Sequence, residues 1–412
     1  YTGCLAHAEV TFVEETGQVS RIVGYFEHNT RCKETVLTRF PAVPLHPHVV
    51  EIALLQLRAG ADIAQIRNKN LEMFTRKLYR GQSTADPAQL NVRYELQTSD
   101  FSRLYRQHYR NDYGIDVSTP PEHNVDNWLD PSSPHYKHEI ATSVFHYAAR
   151  AEQNDRFKVC IATPEMREAA WKYCHHKQLV LDGTFGVCTS RLLLWIAMGV
   201  DEARHGVPVA MFLFSAPSGS RATHAGYNSE ILTELLGKWR DWMGSRAGEP
   251  FEPFAAMTDT DTKERTALLR IWPAIVLLLC KFHVRQCWTN KRNLLFNKQP
   301  AFWRAYLESR TRSLEEALLQ TTCYEDAVLL LDIEEAVLRA ISKDEPSEKA
   351  SSAGLSYLSY IRTTWMPKDM WVGWSRRGRE EAARRMAIPV EDVLPTTNHL
   401  EAFNGSLKKT HL

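Results

Sequence analysis

No apolar run in the chain is long enough to cross a bilayer. The longest stretches, such as Ala274 to Leu279 (AIVLLL), fall far short of the roughly 20 residues a spanning helix needs. No signal-peptide layout opens the sequence, and no internal repeat stands out. Charge of one sign is missing too: 50 lysines and arginines face 49 aspartates and glutamates, a net charge of +1. A balance that close neither favours nor excludes nucleic acid, so any basic surface must be local. The eight cysteines in 412 residues form no dense even framework, which suits a reducing compartment where thiols stay free or bind metal. These absences set the expectation of a soluble intracellular protein. Because the sequence begins at Tyr1 without a methionine, it also reads as part of something longer.

What is present is enough apolar material for real cores. A 44% hydrophobic content over this length predicts two or three globular domains. The first segment holds two β-like runs, AEVTFVE and RIVGYFE, around a turn at Thr16 and Gly17, which predicts a hairpin. Cys4-x2-His7 and His28-x3-Cys32 flank it, and each pair has a spacing that lets two side chains meet one tetrahedral Zn²⁺. Ordinary packing is the competing use for those four residues. Pro41, Pro44 and Pro47 punctuate a linker.

From Val49 to about Tyr79 the apolar spacing predicts helix, tight turn at AGAD (Ala59 to Asp62), helix. Arg67, Lys69, Arg76, Lys77 and Arg80 on this pair either face phosphates or form a solvated face. FSRLYRQHYR, Phe101 to Arg110, mixes aromatic and basic residues and reads as a phosphate grip or an amphipathic helix. His138 to Gln153 is expected to be helical.

The rhythm then changes. KQLVLDGTFGV, RLLLWIAMGVD and VPVAMFLFSA are three β-like runs in the manner of an antiparallel meander. A helix over Tyr227 to Met243 follows, then FAAMTD as a fourth strand, KERTALLRIW as a helix, AIVLLLCKFHV as a fifth strand and a helix to Phe296. Ala301 to about Arg385 is almost all helix-like, with a loop expected at Lys343 to Ala353. TTNHLEAFNGSLKK makes a closing helix that Thr397 or Asn398 can cap. The fold class expected from this order is α/β with an RNase H-like core: three antiparallel strands, helix, strand, helix, strand, helix. The expected domains are 1–45, a zinc-binding DNA-recognition module; 46–155, a helical, helix-turn-helix-like and linker region; 156–299, the first part of the core; 300–392, a helical insertion; and 393–412, the final catalytic helix.

One residue is out of place in this pattern. Asp182 sits inside the apolar run VLDGTFGV, where a buried strand normally excludes an uncompensated carboxylate. With Gly183 it forms either a turn pair or a metal ligand looking out from a strand. In the meander reading Asp259 ends the fourth strand and Glu401 lies on the last helix, so three acids from distant elements could converge. Converging carboxylates are what two-metal phosphoryl transfer requires, since hard oxygen ligands hold two Mg²⁺ ions that activate the nucleophile and stabilise the leaving oxygen.

Four motifs in order, LDGTF (181–185), MTDTDTKERTAL (257–268), CKFH (280–283) and TNHLEAFNGSLK (397–408), resemble the catalytic core of Mutator-like element (MULE) transposases, a family of DDE transposases. The resemblance covers roughly Val180 to Lys408, with the helical stretch after Phe296 standing as the family's insertion. It implies Asp182, Asp259 and Glu401 as catalytic residues holding Mg²⁺ or Mn²⁺, with Asp261 the rival for the second place. It implies Cys280 and His283 as active-site neighbours contacting DNA or the scissile phosphate; a buried thiol and a core histidine are their plainer reading. It also implies an N-terminal zinc module on Cys4, His7, His28 and Cys32, in which His7 departs from the family's usual arrangement.

The implied activity is Mg-dependent DNA strand cleavage and strand transfer at element ends, in the nucleus, by a homo-oligomer whose partners are element-end and target DNA. Arg285, Lys291, Arg292, Arg376, Arg377 and Arg379 are candidate backbone contacts. Two other readings share these features: a domesticated transposase serving as a zinc-dependent transcription or chromatin factor, and an RNase H-like nuclease acting on RNA or hybrid duplexes.

Overall fold

A computed structural model of the chain describes residues 5–13, 18–31, 33, 44–82, 92–150, 152, 155–186, 192–217, 226–341 and 344–410. The chain divides into two compact units, Tyr1–Asn124 and Val125–Leu412. In the first, β1 (His7–Val13) and β2 (Gln18–Tyr25) form an antiparallel hairpin whose residues are almost all exposed. Its register pairs His7 with Tyr25, so both flanks leave at one end of the ribbon. α1 (Pro47–Arg58) and α2 (Ile63–Thr75) follow, separated by a turn in which Gly60 takes φ +81°, and α2 is started by an Asp62 and Gln65 capping box. Val49, Ala53, Leu57 and Ile66 bury their apolar faces with Phe101 and Leu104 of α3 (Thr98–His108). Buried Asn70 holds this core in register, giving hydrogen bonds to Tyr79 Oη (2.8 Å) and the Tyr94 carbonyl (2.9 Å) and accepting one from Leu96 N–H (2.8 Å).

The second unit is built on a mixed seven-stranded sheet. Its strands are β3 (Val144–Ala148), β4 (Lys158–Ile161), β5 (Gln178–Thr184), β6 (Leu193–Val200), β7 (Gly206–Phe214), β10 (Ala255–Thr258) and β11 (Val276–Leu279), in the spatial order β11-β10-β5-β6-β7-β4-β3. A two-residue ribbon, β8 (Ser245–Arg246) and β9 (Glu249–Pro250), lies apart from it. β6 is antiparallel to both its neighbours, β5 and β7, whereas β10 runs parallel to β5 and β11 parallel to β10.

Strand alternation sends successive side chains to opposite faces. On one face Leu179, Leu181, Trp195, Phe212 and Ala256 pack against Trp171 of α5 (Pro164–Tyr173), Leu235 and Trp239 of α6 (Ser229–Met243) and Leu268 of α7 (Thr262–Ile271). On the other, Val180, Ile196, Met257 and Leu278 form a second core with Ala382, Val393 and Leu400. The helices between Lys281 and Trp374 make a third core of their own around Trp288, Leu307, Leu331, Tyr357 and Trp374. These are α8 (Lys281–Phe296), α9 (Ala301–Leu319), α10 (Tyr324–Ala340), α11 (Glu345–Tyr360) and α12 (Lys368–Trp374). α13 (Arg376–Met386) and α14 (Asn398–Thr410) bring the chain back to the sheet.

Two expectations fail here. Only the short α4 (His138–Ser143) is helical in 138–153. Val144 to Ala148 extends the sheet instead, because its β-branched and aromatic residues pair with β4 and stack Phe145 on Trp242 at 5.2 Å. The expected loop at 343–353 is helical from Glu345, started by an Asp344 and Ser347 capping box with Pro346 in the first turn. Its Ser, Glu and Lys residues mark a helix start rather than a break. Among the described residues, no helix is long and apolar enough to cross a membrane.

Candidate active site at the strand ends

Parallel register carries the candidate acids to one place. Met257 pairs with Val180 and Thr258 with Leu279, so the next residues along, Asp259 beside Asp182 and Cys280 beside Asp259, stand level across three neighbouring strands. Adjacent strands lie about 5 Å apart, and period 2 puts all three on the face of Val180, Met257 and Leu278. That is the carboxyl end of the parallel strands, where open α/β sheets leave a crevice. α14 lies across this face through Leu400, and Glu401 follows it.

Thr397, four residues before Glu401, ties the corner together. Its hydroxyl donates to Glu401 Oε1 (3.2 Å), and its N–H and hydroxyl both approach Cys280 Sγ (3.4 and 3.5 Å). His283 Nε2, on the first turn of α8, is 3.5 Å from the same Glu401 oxygen. Asp182 Oδ1 accepts the Gly183 N–H at 2.9 Å, and Asp259 Oδ1 accepts the Asp261 N–H at 2.7 Å.

The electrostatics show the cost of this convergence. Burial and the charges of Asp259 and Glu401 push Asp182 up to about 6, against the pull of the Gly183 N–H and His283. Burial raises Asp259 as well, with Asp261 adding to it. His283 moves upward through its Cys280 neighbour and the charges of Glu401 and Asp259. Burial opposes ionisation of Cys280, but its His283 and Thr397 neighbours outweigh that and bring it down to about 7. Among the described residues no lysine or arginine pairs with Asp182 or Asp259. The negative charge of the corner is offset in part by His283.

Asp261 is engaged elsewhere: it caps α7 through Lys263 N–H (2.8 Å) and accepts the Tyr227 hydroxyl. Sequence reading gave Thr397 only as a candidate cap of the last helix and missed its hold on Glu401 and Cys280. It also missed Glu264. This carboxyl is 4% exposed on α7, one oxygen has no hydrogen-bond partner, and burial with the charges of Asp259, Asp182 and Asp261 holds it well above the usual carboxylate range. A Glu in the polar run TKERTAL gives no sign of facing inward.

The other candidates scatter. Cys4 and Cys32 lie outside the described residues; His7 and His28 are exposed at the shared end of the hairpin. Arg285 is exposed and bound to Glu316 (2.6 Å), Lys291 stands over the Tyr360 ring at 5.0 Å, Arg376 pairs with Glu380 (2.9 Å), and Arg377 is exposed at the start of α13. Arg292 corrects the reading of basic contacts. It is 6% exposed and paired with Glu315 beside the helical core around Trp288. Arg379 is 3% exposed and likewise points inward.

Among the described residues one group of three candidate metal ligands has its ligand atoms all within 4.8 Å of one another: His175, His176 and Glu249. The acid trio is more widely spaced than that. The histidine group sits at the opposite end of β5, and its protonation argues against an ion. His175 Nδ1 accepts the Glu252 N–H at 3.2 Å, so the neutral ring carries its proton on Nε2, the atom facing Glu249. The two rings stack at 3.8 Å, with His176 on Phe254 at 4.4 Å. This is a stacked aromatic corner with a nearby carboxylate. The chain matches no family model, and no curated protein is significantly similar to it.

Proposed function

We propose that the chain carries a divalent-metal polynucleotidyl-transferase site on an RNase H-like core, and that it acts as a DDE transposase of the MULE kind, cutting DNA at element ends and joining the freed strand to a target. The observation that carries this reading is the alignment of Asp182 with Asp259 on parallel strands, with Glu401 brought to them by a helix more than 140 residues further along the chain. The strand order β7-β6-β5-β10-β11, with β6 antiparallel to its neighbours and β10 and β11 parallel to β5, supports the choice of fold.

The donor set fits Mg²⁺ or Mn²⁺. Its oxygens are hard, its charges repel one another, and among the described residues no lysine or arginine pairs with the two aspartates. Asp182, Asp259 and Glu401 would hold the ions, which when bound activate an attacking oxygen and stabilise a leaving one. The chain's own residues set the frame. The Gly183 N–H fixes the Asp182 carboxylate, the Asp261 N–H fixes Asp259, and Thr397 with His283 fixes Glu401. His283, drawn toward its protonated form, can also place a positive charge beside a phosphate oxygen. No covalent protein intermediate is needed, because positioning and charge supply most of the barrier reduction.

The hairpin supports the zinc module. A two-stranded ribbon exposed on nearly every residue has little core to hold it, and a tetrahedral Zn²⁺ on Cys4, His7, His28 and Cys32 would staple the end where both flanks emerge. Metal analysis should give one zinc per chain, lost in Cys4→Ser; equal zinc in both proteins removes the module.

For the transferase site, candidate element-end duplexes incubated with Mg²⁺ or Mn²⁺ should be nicked. The rate should fall by at least about 10³-fold in Asp259→Asn and Glu401→Gln. Cutting by those variants at the wild-type rate would end this reading.

A further inference from the structure

We infer that Lys281, with Arg285 and Arg376 around it, forms a phosphate subsite for the nucleic-acid backbone beside the carboxylate corner. Lys281 opens α8 between Cys280 and His283, and it is only partly exposed. Among the described residues its ammonium makes no ion pair, whereas Lys69, Lys158 and Lys349 each hold a carboxylate at 2.6 to 3.0 Å.

Its neighbours are cations. Arg285 stands one turn further along α8, and Arg376 and Arg379 lie one turn apart on α13. The two helices meet at the Pro395 carbonyl, which accepts from both Lys281 N–H (3.0 Å) and Arg379 Nη2 (3.4 Å). Arg379 gives its other hydrogen bonds to the carbonyls of Leu279 (3.2 Å) and Trp374 (3.3 Å), and among the described residues no carboxylate pairs with it. The nearby acids are already engaged: Glu316 grips Arg285 at 2.6 and 2.8 Å, and Glu380 holds Arg376 at 2.9 Å. Four cations therefore face two carboxylates.

Keeping a half-buried lysine among like charges lowers stability, and burial together with the three arginines brings it down to about 8. An anion would relieve that. A phosphodiester suits the geometry, because a strand running past the acids needs its adjacent phosphates neutralised.

The nucleic-acid source of the phosphate rests on the function proposed above, so the test separates the two. Binding of a fluorescent 30-mer duplex is measured in EDTA, without catalysis. Lys281→Met should weaken binding at least fivefold at low salt and flatten the salt slope by about 0.7 to 0.9. Lys281→Arg should stay within twofold of wild type, and Asp182→Asn should bind as well or better. Lys281→Met should melt no lower than wild type, and its melting temperature should not respond to inorganic phosphate at constant ionic strength, where the wild type rises. Unchanged duplex affinity and slope in Lys281→Met overturn the subsite, as does a clear drop in its melting temperature. A phosphate response lost without any duplex effect overturns the nucleic-acid assignment. If the subsite effects appear but no end sequence is ever cut, the catalytic reading fails and the subsite stands.

Discussion

Asp182→Asn should make the ion-free protein more stable while removing its activity. The sign follows from the direction of the shift. Asp182 is raised from an ordinary 3.8 to about 6, so between those values the folded chain binds more protons than the unfolded one, and stability falls as pH rises. Above about pH 7 the penalty is complete, on the order of 2 to 3 kcal/mol. The asparagine variant escapes it. In chemical denaturation at pH 7.5 with EDTA, Asp182→Asn should exceed wild type by about that amount, and the gap should close as pH drops from 6 toward 4. Added Mg²⁺ should reverse the order, since an ion that binds only the folded state stabilises in proportion to its occupancy. Identical stability for the two proteins across this pH range, with no Mg²⁺ effect on either, would mean that Asp182 is an ordinary turn residue.

Arg292→Met should have the opposite outcome, a large loss of stability with no loss of nucleic-acid contact. Arg292 on α8 pairs with Glu315 on α9, donates to Thr289 at 2.9 Å, and shares Glu315 with the Tyr357 hydroxyl of α11. Both charged side chains are below 10% exposed. Removing the guanidinium leaves Glu315 buried and unpaired, a change that typically costs about 3 to 5 kcal/mol. A fall of about 10 °C in melting temperature is expected for a unit of this size. Arg292→Met combined with Glu315→Leu should recover much of the loss, because it removes the stranded charge. If the single variant melts like wild type but binds DNA weakly, Arg292 faces solvent and the account of this helical core is wrong.

The two substitutions also show where the sequence was informative. Asp182 was conspicuous because a carboxylate in VLDGTFGV violates the polarity of its own strand, and violations of local rules concentrate at functional sites. The meander and the two later strands were legible for the same reason: long apolar runs with clean turns admit few alternatives. Arg292 offered no comparable signal. On a helix among other basic residues its direction depends on what packs over it, and that partner is 23 residues further along the chain. Tertiary context likewise decided 144–148, a strand only because β4 lies beside it, and 345–360, whose polar start is a cap. The inward direction of Glu264 and the contact of Thr397 with Cys280 became visible only when the strand ends were assembled.

Manganese binding tests the convergence of the acids most directly. Crystals of the intact protein soaked in Mn²⁺ and measured at the manganese absorption edge should show anomalous density within coordination distance of the Asp182, Asp259 and Glu401 carboxylates. That density should be absent in Asp182→Asn. Density confined to other surface carboxylates, or side chains at 182, 259 and 401 found in separate parts of the molecule, would contradict the account.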